Sequence, residues 1–381
     1  MKYQLDHSNY QTFATYERNK LPPRSYFIPY PDRAAADRVG PLDKRYASPK
    51  VLCLNGSWDF QFYPRPGEMP DVLDTDQIPF DTIDVPSCWQ FRGYDRPFYV
   101  NIRYQFPYDP PKIPTTEKVG RVFSWTGVDQ GLALRWKDPG EEYNFVGVYR
   151  RFLDIEDPGK RYVISFLGVA SCMDLYLNGG FVGYSEGSHN TAEFDLTGKL
   201  RAGENELVVV VHRWCTGTYL ECQDMFRNNG IFRDVLLRVS DPEDLWDLDA
   251  RTEKSGNRYT LTLTAQTLSD TEVTFTLEGH GLSRIATVQT RDRTAQAVFP
   301  GLEVMEWSAE DPVLYNVYVE TASGCVKERL GFRTVEIQGD RFLINGRKVK
   351  LKGVNHHDTS PTNGYTLTPD EIERDLLLCK A

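Results

Sequence analysis

From Leu54 to Ser240 the chain runs in short stretches of alternating apolar and polar positions, bounded by Gly, Pro, Asn and Asp. They are SWDFQFY, VGVYRRFLDI, RYVISFLG, CMDLYLNGGFVGY, NELVVVVHRW and DVLLRVS. A period of two marks strands, and their spacing of roughly 8 to 12 residues predicts an antiparallel sandwich. Within CMDLYLNGGFVGY, Asn178-Gly179 predicts a tight type I′ hairpin, because Asn and Gly tolerate the positive φ that turn requires. Residues Lys118 to Glu142 break the rhythm and are expected to form a long surface insertion. At about Pro242 an acidic, Trp-bearing stretch, DPEDLWDLDA, is expected to link to a second β unit. That unit carries RYTLTLTAQT, EVTFTLEG, AQAVFPG, VLYNVYVE and CVKERLGFRTVEI, a set that suits a small immunoglobulin-like sandwich. No segment from 54 to 336 has helical periodicity.

The pattern changes after Glu336. Phe342 to Arg347 reads as another Asn-Gly hairpin, and Val349 to Val354 as an apolar strand running into LKGVNHHDTSPTNGY, residues 351–365. The sixteen residues after Tyr365 predict one helix. Thr368 stands at its N-cap in a T-x-x-E capping box with Glu371, Pro369 takes the first helical position, and Ile372, Leu376 and Cys379 share a face. The divisions expected are therefore a polar arm over 1–50 anchored by Tyr26 to Tyr30, a sandwich over 51–241, a second over 242–336, and a strand-then-helix unit begun over 337–381.

Composition narrows the partners. A 381-residue chain that is 40% hydrophobic and 13% aromatic has ample material for packed cores. Its net charge of −10 argues against a nucleic-acid phosphate backbone and is compatible with a neutral sugar. The first twenty residues hold no apolar signal-type core, and no run reaches the roughly 18 apolar residues of a membrane helix. Seven scattered cysteines (Cys53, Cys88, Cys172, Cys215, Cys222, Cys325, Cys379) with no CxxC spacing read as reduced thiols of a cytoplasmic protein.

Three stretches are candidates for chemistry. His356-His357-Asp358 has metal-ligand types, but adjacent side chains of an extended segment face opposite ways, so the two imidazoles do not readily share one ion. The alternative is that one histidine, on the same face as Asn355, lines a pocket at a strand end, where barrel enzymes keep their active sites. A histidine that merely satisfies loop backbone is the competing reading. PSCWQFRGYDRPFYVN (86–101) and WCTGTYLECQDMFRNNGIFRD (214–234) mix aromatics with carboxylates and amides, as sugar sites do, although packed loops have similar compositions.

Together with LYLNGGFVGYSEGS, EFDL and LRAGENEL, these stretches and LKGVNHHD resemble, in the same order, the N-terminal half of bacterial β-galactosidases of glycoside hydrolase family 2. The resemblance covers roughly residues 50 to 381. It implies a mainly β chain with a jelly-roll sugar-binding domain, an immunoglobulin-like sandwich, and the first βα unit of a truncated TIM barrel. In that family the barrel bears the active site and the jelly roll helps form the galactose subsite. By this resemblance Asn101 and His357 hold galactose, and Asp224 contacts both the sugar and a sodium ion. Thr216 stands where many relatives carry an aspartate that helps bind a structural magnesium, so that ligand is missing here; His356 stands where the best-known members carry arginine.

A retaining glycosidase needs two carboxyl groups about 5 to 5.5 Å apart. In this family both are glutamates on later barrel strands. A barrel takes about 250 residues, and after Glu336 the chain offers only Glu371 and Glu373, both on the predicted helix. The expectation is thus the N-terminal part of a β-galactosidase, inactive alone, whose partners are a β-galactoside and the remainder of the barrel, and which forms a homo-oligomer when complete. The competing expectations are a non-catalytic sugar-binding or complementing subunit and, within the family, a β-glucuronidase or β-mannosidase.

Overall fold

The computed structural model describes residues 1–40, 44–100, 105–106, 108–115, 143–221 and 223–381. The insertion expected over 118–142 lies outside the described residues, as do Asn101 and Cys222. The chain divides into two compact units, one of Met1–Pro22, Cys53–Leu237 and His356–Ala381, the other of Pro23–Leu52 and Arg238–Asn355.

The first unit contains an antiparallel seven-stranded sheet in the order Glu17–Arg18, Gly180–Glu186, Cys172–Leu177, Gly203–His212, Val146–Ile155, Gly56–Tyr63, Asp81–Val85. A four-stranded sheet includes Ala192–Asp195 and Arg161–Phe166. Alternation in SWDFQFY buries Trp58 and Phe60 while Asp59 and Gln61 stay partly exposed. The central strand is different: Asn205 to His212 is buried without a break. Both its faces are covered, one of them by Tyr3 and Leu5, which pack with Val208 and Val210. The hairpin at Asn178-Gly179 forms, with φ of 51° and 87°.

The second unit is a sandwich of three strands (Leu245–Ser255, Arg258–Thr267, Thr294–Leu302) against five (Leu282–Gln289, Glu272–Gly279, Tyr315–Glu320, Cys325–Leu330, Pro29–Tyr30). In RYTLTLTAQT, Tyr259, Leu261, Leu263 and Ala265 all enter its core. The arm expected over 1–50 therefore divides, its first part burying Tyr3 and Tyr10 in the first unit and its second adding an edge strand to the second.

Two expectations are corrected. The acidic stretch from Asp241 is a linker only to Asp244; from Leu245 it is a strand paired with Arg258–Thr267. Its acids disguised it, because Asp249 sits on the outer face opposite Thr264 and a register shift between Leu245 and Asp247 disturbs the alternation. Asp241 and Asp244 instead hold the ammonium of Lys50 at 3.0 and 2.8 Å. The second correction is Val349 to Val354, which forms no strand and leaves Leu351 79% and Val354 73% exposed. A strand exists through pairing, and among the described residues this segment's ladder ends with the bond from Val349 N to Phe342 O at 3.0 Å. The Asn345-Gly346 hairpin before it does form, joining Arg341–Ile344 to Arg347–Lys348.

The C-terminal helix is Pro369–Lys380, with both halves of the capping box made: Glu371 N donates to Thr368 Oγ1 at 3.2 Å and Thr368 N to Glu371 Oε2 at 2.8 Å. Local sequence builds this helix, since none of its residues is buried.

Candidate functional site

The stretches singled out by composition meet in the first unit. Strand Phe98–Val100 pairs with Met225–Arg227, setting Tyr99 opposite Phe226. The two stretches are stitched further by main-chain bonds, Ser87 N to Ile231 O at 2.8 Å and Trp89 N to Asn229 O at 3.0 Å. Gln90 closes the seam with its amide, accepting from Asn229 N at 2.9 Å and donating to Asn229 Oδ1 at 3.0 Å and Asp95 Oδ2 at 2.9 Å. Gly230 is required there. Its φ is +119°, and a Cβ would stand 2.9 Å from Ser87 O and 3.0 Å from Tyr149 Oη. The buried Arg213 guanidinium lies over Phe145 and Trp214 and 4.0 Å from Asp95.

The third stretch docks onto this seam through the turn Ser360 to Gly364, closed by reciprocal main-chain bonds of 2.7 and 3.0 Å. Gly364 has φ of +63°, and a Cβ would come within 2.7 Å of Phe91, 3.0 Å of Asn228 and 3.1 Å of Cys88 Sγ. Tyr365 is the anchor. Its hydroxyl donates to Phe226 O, and its ring meets Phe232 and His189 edge-on at 5.2 and 5.1 Å. Thr366 Oγ1 adds a bond to Phe232 O at 3.0 Å. Burial in this contact pushes the Cys88 thiol up to about 12, so it is a neutral packing group and not a nucleophile.

Asp224 sits at the exposed lip of the seam, where the Tyr99 hydroxyl donates to Oδ1; that bond raises the Tyr99 phenol above its ordinary value. An exposed carboxylate whose other oxygen meets no donor among the described residues fits the oxygen-ligand chemistry of a sodium ion or a sugar hydroxyl. Asn101 follows the strand that carries Tyr99 but lies outside the described residues. His357 is exposed and makes no hydrogen bond or ion pair with the described residues. His356 is held instead, Nδ1 lying 3.4 Å from Asp358 and Nε2 3.3 Å from Asp375 on the helix.

Around Thr216 the arrangement suits an anion. Its hydroxyl lies 2.8 Å from Glu186 Oε1, where Tyr184 also donates at 2.6 Å, and Gly217 N donates to Oε2 at 2.5 Å. Burial raises the Glu186 carboxyl, and its oxygens are already occupied by donors. This carboxyl does not fit a magnesium ligand. Among the described residues no group of three His, Cys, Asp or Glu is disposed to hold a metal ion.

His189 and Arg213 are the contributors the sequence reading passed over. Each is a single polar residue beyond a strand end, and neither belongs to a spaced motif. Tyr365 stood inside a stretch already singled out, without a role.

Comparison with known proteins agrees with this construction. Residues 51–133 and 124–241 match the glycosyl hydrolases family 2 sugar binding domain, and residues 335–381 match the TIM barrel domain of the same family. A β-galactosidase of Actinobacillus pleuropneumoniae is 35% identical over 97% of this chain and 34% of its own length. One of Staphylococcus xylosus is 32% identical over 95% of this chain and 33% of its own. The chain thus spans about a third of the length of these relatives. Among solved structures, a β-glucuronidase of Ruminococcus gnavus superposes with a TM-score of 0.63 at 17% identity, covering 87% of this chain and 52% of its own. A β-glucuronidase of Bifidobacterium dentium gives 0.61 at 20% identity, covering 86% and 55%. At these identities the structures speak for the fold, and the two domain matches over more than half of the residues establish that the chain belongs to glycoside hydrolase family 2.

Proposed function

We propose that the chain is the sugar-binding N-terminal part of a β-galactosidase, which removes terminal non-reducing β-D-galactose with retention once the remainder of the barrel is supplied. The observation that carries this reading is the docking of the turn Ser360–Gly364 and Tyr365 onto the seam of residues 87–91 and 226–232. It fastens the segment bearing His357 to the unit bearing Asp224. In the reaction, Asn101, Asp224 and His357 hydrogen-bond the hydroxyls of galactose, and Asp224 shares a sodium ion with the sugar. The galactoside is favoured over a glucuronide because relatives at 32 to 35% identity are named β-galactosidases.

The chain alone supplies part of the sugar subsite and does not cleave. Retention needs a nucleophile and an acid–base carboxyl, and Glu371 is committed to the helix cap, where it accepts from Thr368 and Ser360. Its neighbour Glu373 is on the same exposed helix. What completes the site is the rest of the barrel, in the same polypeptide or a complementing one. The setting of the complete enzyme is a cytoplasmic homo-oligomer; no helix among the described residues is long and apolar enough to cross a membrane.

The test is turnover of an aryl β-galactoside and of the matching β-glucuronide. The purified chain is expected to cleave neither. Joined to a family 2 barrel portion it is expected to cleave the galactoside, with Asp224→Ala reducing both turnover and the response to sodium. Cleavage by the chain alone, or preference of the joined protein for the glucuronide, would refute the reading.

A further inference from the structure

Beneath the N-terminal segment of the first unit lies a set of buried polar groups that sugar binding does not use. Asp174, 2% exposed, stands in the strand Cys172–Leu177 opposite Tyr184 on one side and Val210 on the other. Its carboxyl accepts a bond from Asn9 Nδ2 at 2.8 Å. His212, 1% exposed, keeps Nε2 3.9 Å from Asp174 Oδ2, too far for a hydrogen bond, and its Nδ1 meets no partner among the described residues. The ring of Tyr10 lies flat on that imidazole, centroids 4.1 Å apart at 19°. Two consecutive residues of the N-terminal segment therefore cover two buried titratable groups.

The surroundings do not favour charge on Asp174. Arg18 spends its guanidinium on Asp6 Oδ2 at 2.7 Å and Asn9 Oδ1 at 3.0 Å. His7 Nε2 lies 3.4 Å from Asp71 Oδ1 without a hydrogen bond. From the sheet, Tyr176 accepts from Asp6 N at 3.2 Å and Tyr184 donates to Glu186, while Cys172 is a buried thiol. A carboxylate so enclosed would exchange its hydration for one amide N–H, so it keeps its proton. Burial pushes Asp174 up to about 8 and His212 down to about 3.

We propose that Asn9, Tyr10, Asp174 and His212 form a proton-held latch, which keeps residues 6–18 on the seven-stranded sheet while Asp174 is uncharged and releases them when it ionises. The same segment offers Thr12 O to the Thr216 hydroxyl at 3.2 Å and pairs Glu17–Arg18 with Tyr184 and Ser185. Release as pH rises thus withdraws a partner from the 214–234 stretch, which carries Asp224. The sign follows from linkage. An acid whose value is raised in the folded state gives that state a contribution that is fully present below the unfolded value, is lost progressively as pH climbs from there to the folded value, and changes no further beyond it. His212, lowered by burial, acts in the opposite sense below about pH 6.5, so the loss above neutrality belongs to Asp174.

Amide hydrogen exchange of the whole chain, corrected for intrinsic rate and followed from pH 6 to 9, tests the latch. Peptides from residues 6–18 should lose protection steadily from pH 6, about tenfold per pH unit, and level off above about pH 8, while peptides from Arg258–Thr267 hold theirs. Asp174→Asn should make the segment's protection independent of pH, and Asn9→Ala should lower it at every pH. Constant wild-type protection to pH 9, an unchanged pH-dependent loss in Asp174→Asn, or full protection in Asn9→Ala would each overturn the proposal. Should Asp174→Asn not hold the segment at any pH, the wild-type profile and Asn9→Ala decide alone.

Discussion

Tyr365 shows how much one side chain holds. Its ring joins Phe232 and His189, and its hydroxyl reaches a main-chain carbonyl of the strand that pairs with Tyr99. Tyr365→Phe keeps the ring and loses the bond, which should cost the docked turn about 1 kcal/mol. Exchange of residues 360–366 should then rise roughly fivefold while the rest of the first unit is unaffected. Gly364→Ala should do more, because it adds a Cβ 2.7 Å from Phe91 and forces a side chain into a φ of +63°. Backbone strain of about 1 to 3 kcal/mol adds to that clash, and exchange of the turn should approach that of an undocked peptide. A turn that stays equally protected in Gly364→Ala would mean that its seat on Phe91 and Cys88 contributes nothing.

At the scale of elements, the C-terminal helix and the segment before it behave oppositely for one reason. Pro369–Lys380 draws its order from its own sequence through the cap and the proline at its start. Leu351 to Val354 cannot, since a strand needs a neighbour. Thr368→Ala removes the oxygen that accepts from Glu371 N and the local constraint on Glu371. The loss should be about 1 kcal/mol, and with no buried face to compensate, helical signal in the far-ultraviolet spectrum should fall visibly. Glu371 itself should titrate below the usual carboxylate range, held there by the bond from Thr368 N. Thr368→Ala keeps that main-chain donor and loses only the hydroxyl's bond to Oε2, so Glu371 should rise slightly and stay below that range, which carbon-detected titration can follow.

Across the whole molecule, exposed apolar surface is unevenly distributed. One helix presents Ile372, Leu376, Leu377 and Leu378, which are 41, 64, 59 and 69% exposed. Apolar side chains gathered this closely mark a surface that another element covers. Concentration-dependent association in sedimentation is therefore expected of the isolated chain. The double variant Ile372→Glu, Leu376→Glu should abolish it while leaving the melting of the sandwiches unchanged. Association that survives the double variant would place the sticky surface elsewhere.

Alternation alone determined that this chain is built of sandwiches, because a strand with one covered face writes its period into the sequence; RYTLTLTAQT and its burial agree position by position. Asn-Gly pairs fixed two hairpins and a T-x-x-E box fixed a helix start, all of them local physics. The composition of residues 86–101, 214–234 and 351–365 marked them as unusual, and motif order gave the family. Pattern could not disclose the strand hidden under the acids of Leu245–Ser255, whose order comes from its partner strand. Nor could it foresee that the segment Val349 to Val354 would form no strand. The seam of Gln90, Asn229 and Arg213 with the anchor Tyr365, and the cover that Asn9 and Tyr10 place over Asp174 and His212, join residues far apart in the chain. Only the tertiary structure decided those contacts, because hydrogen bonds and burial depend on distance in space and leave no period along the sequence.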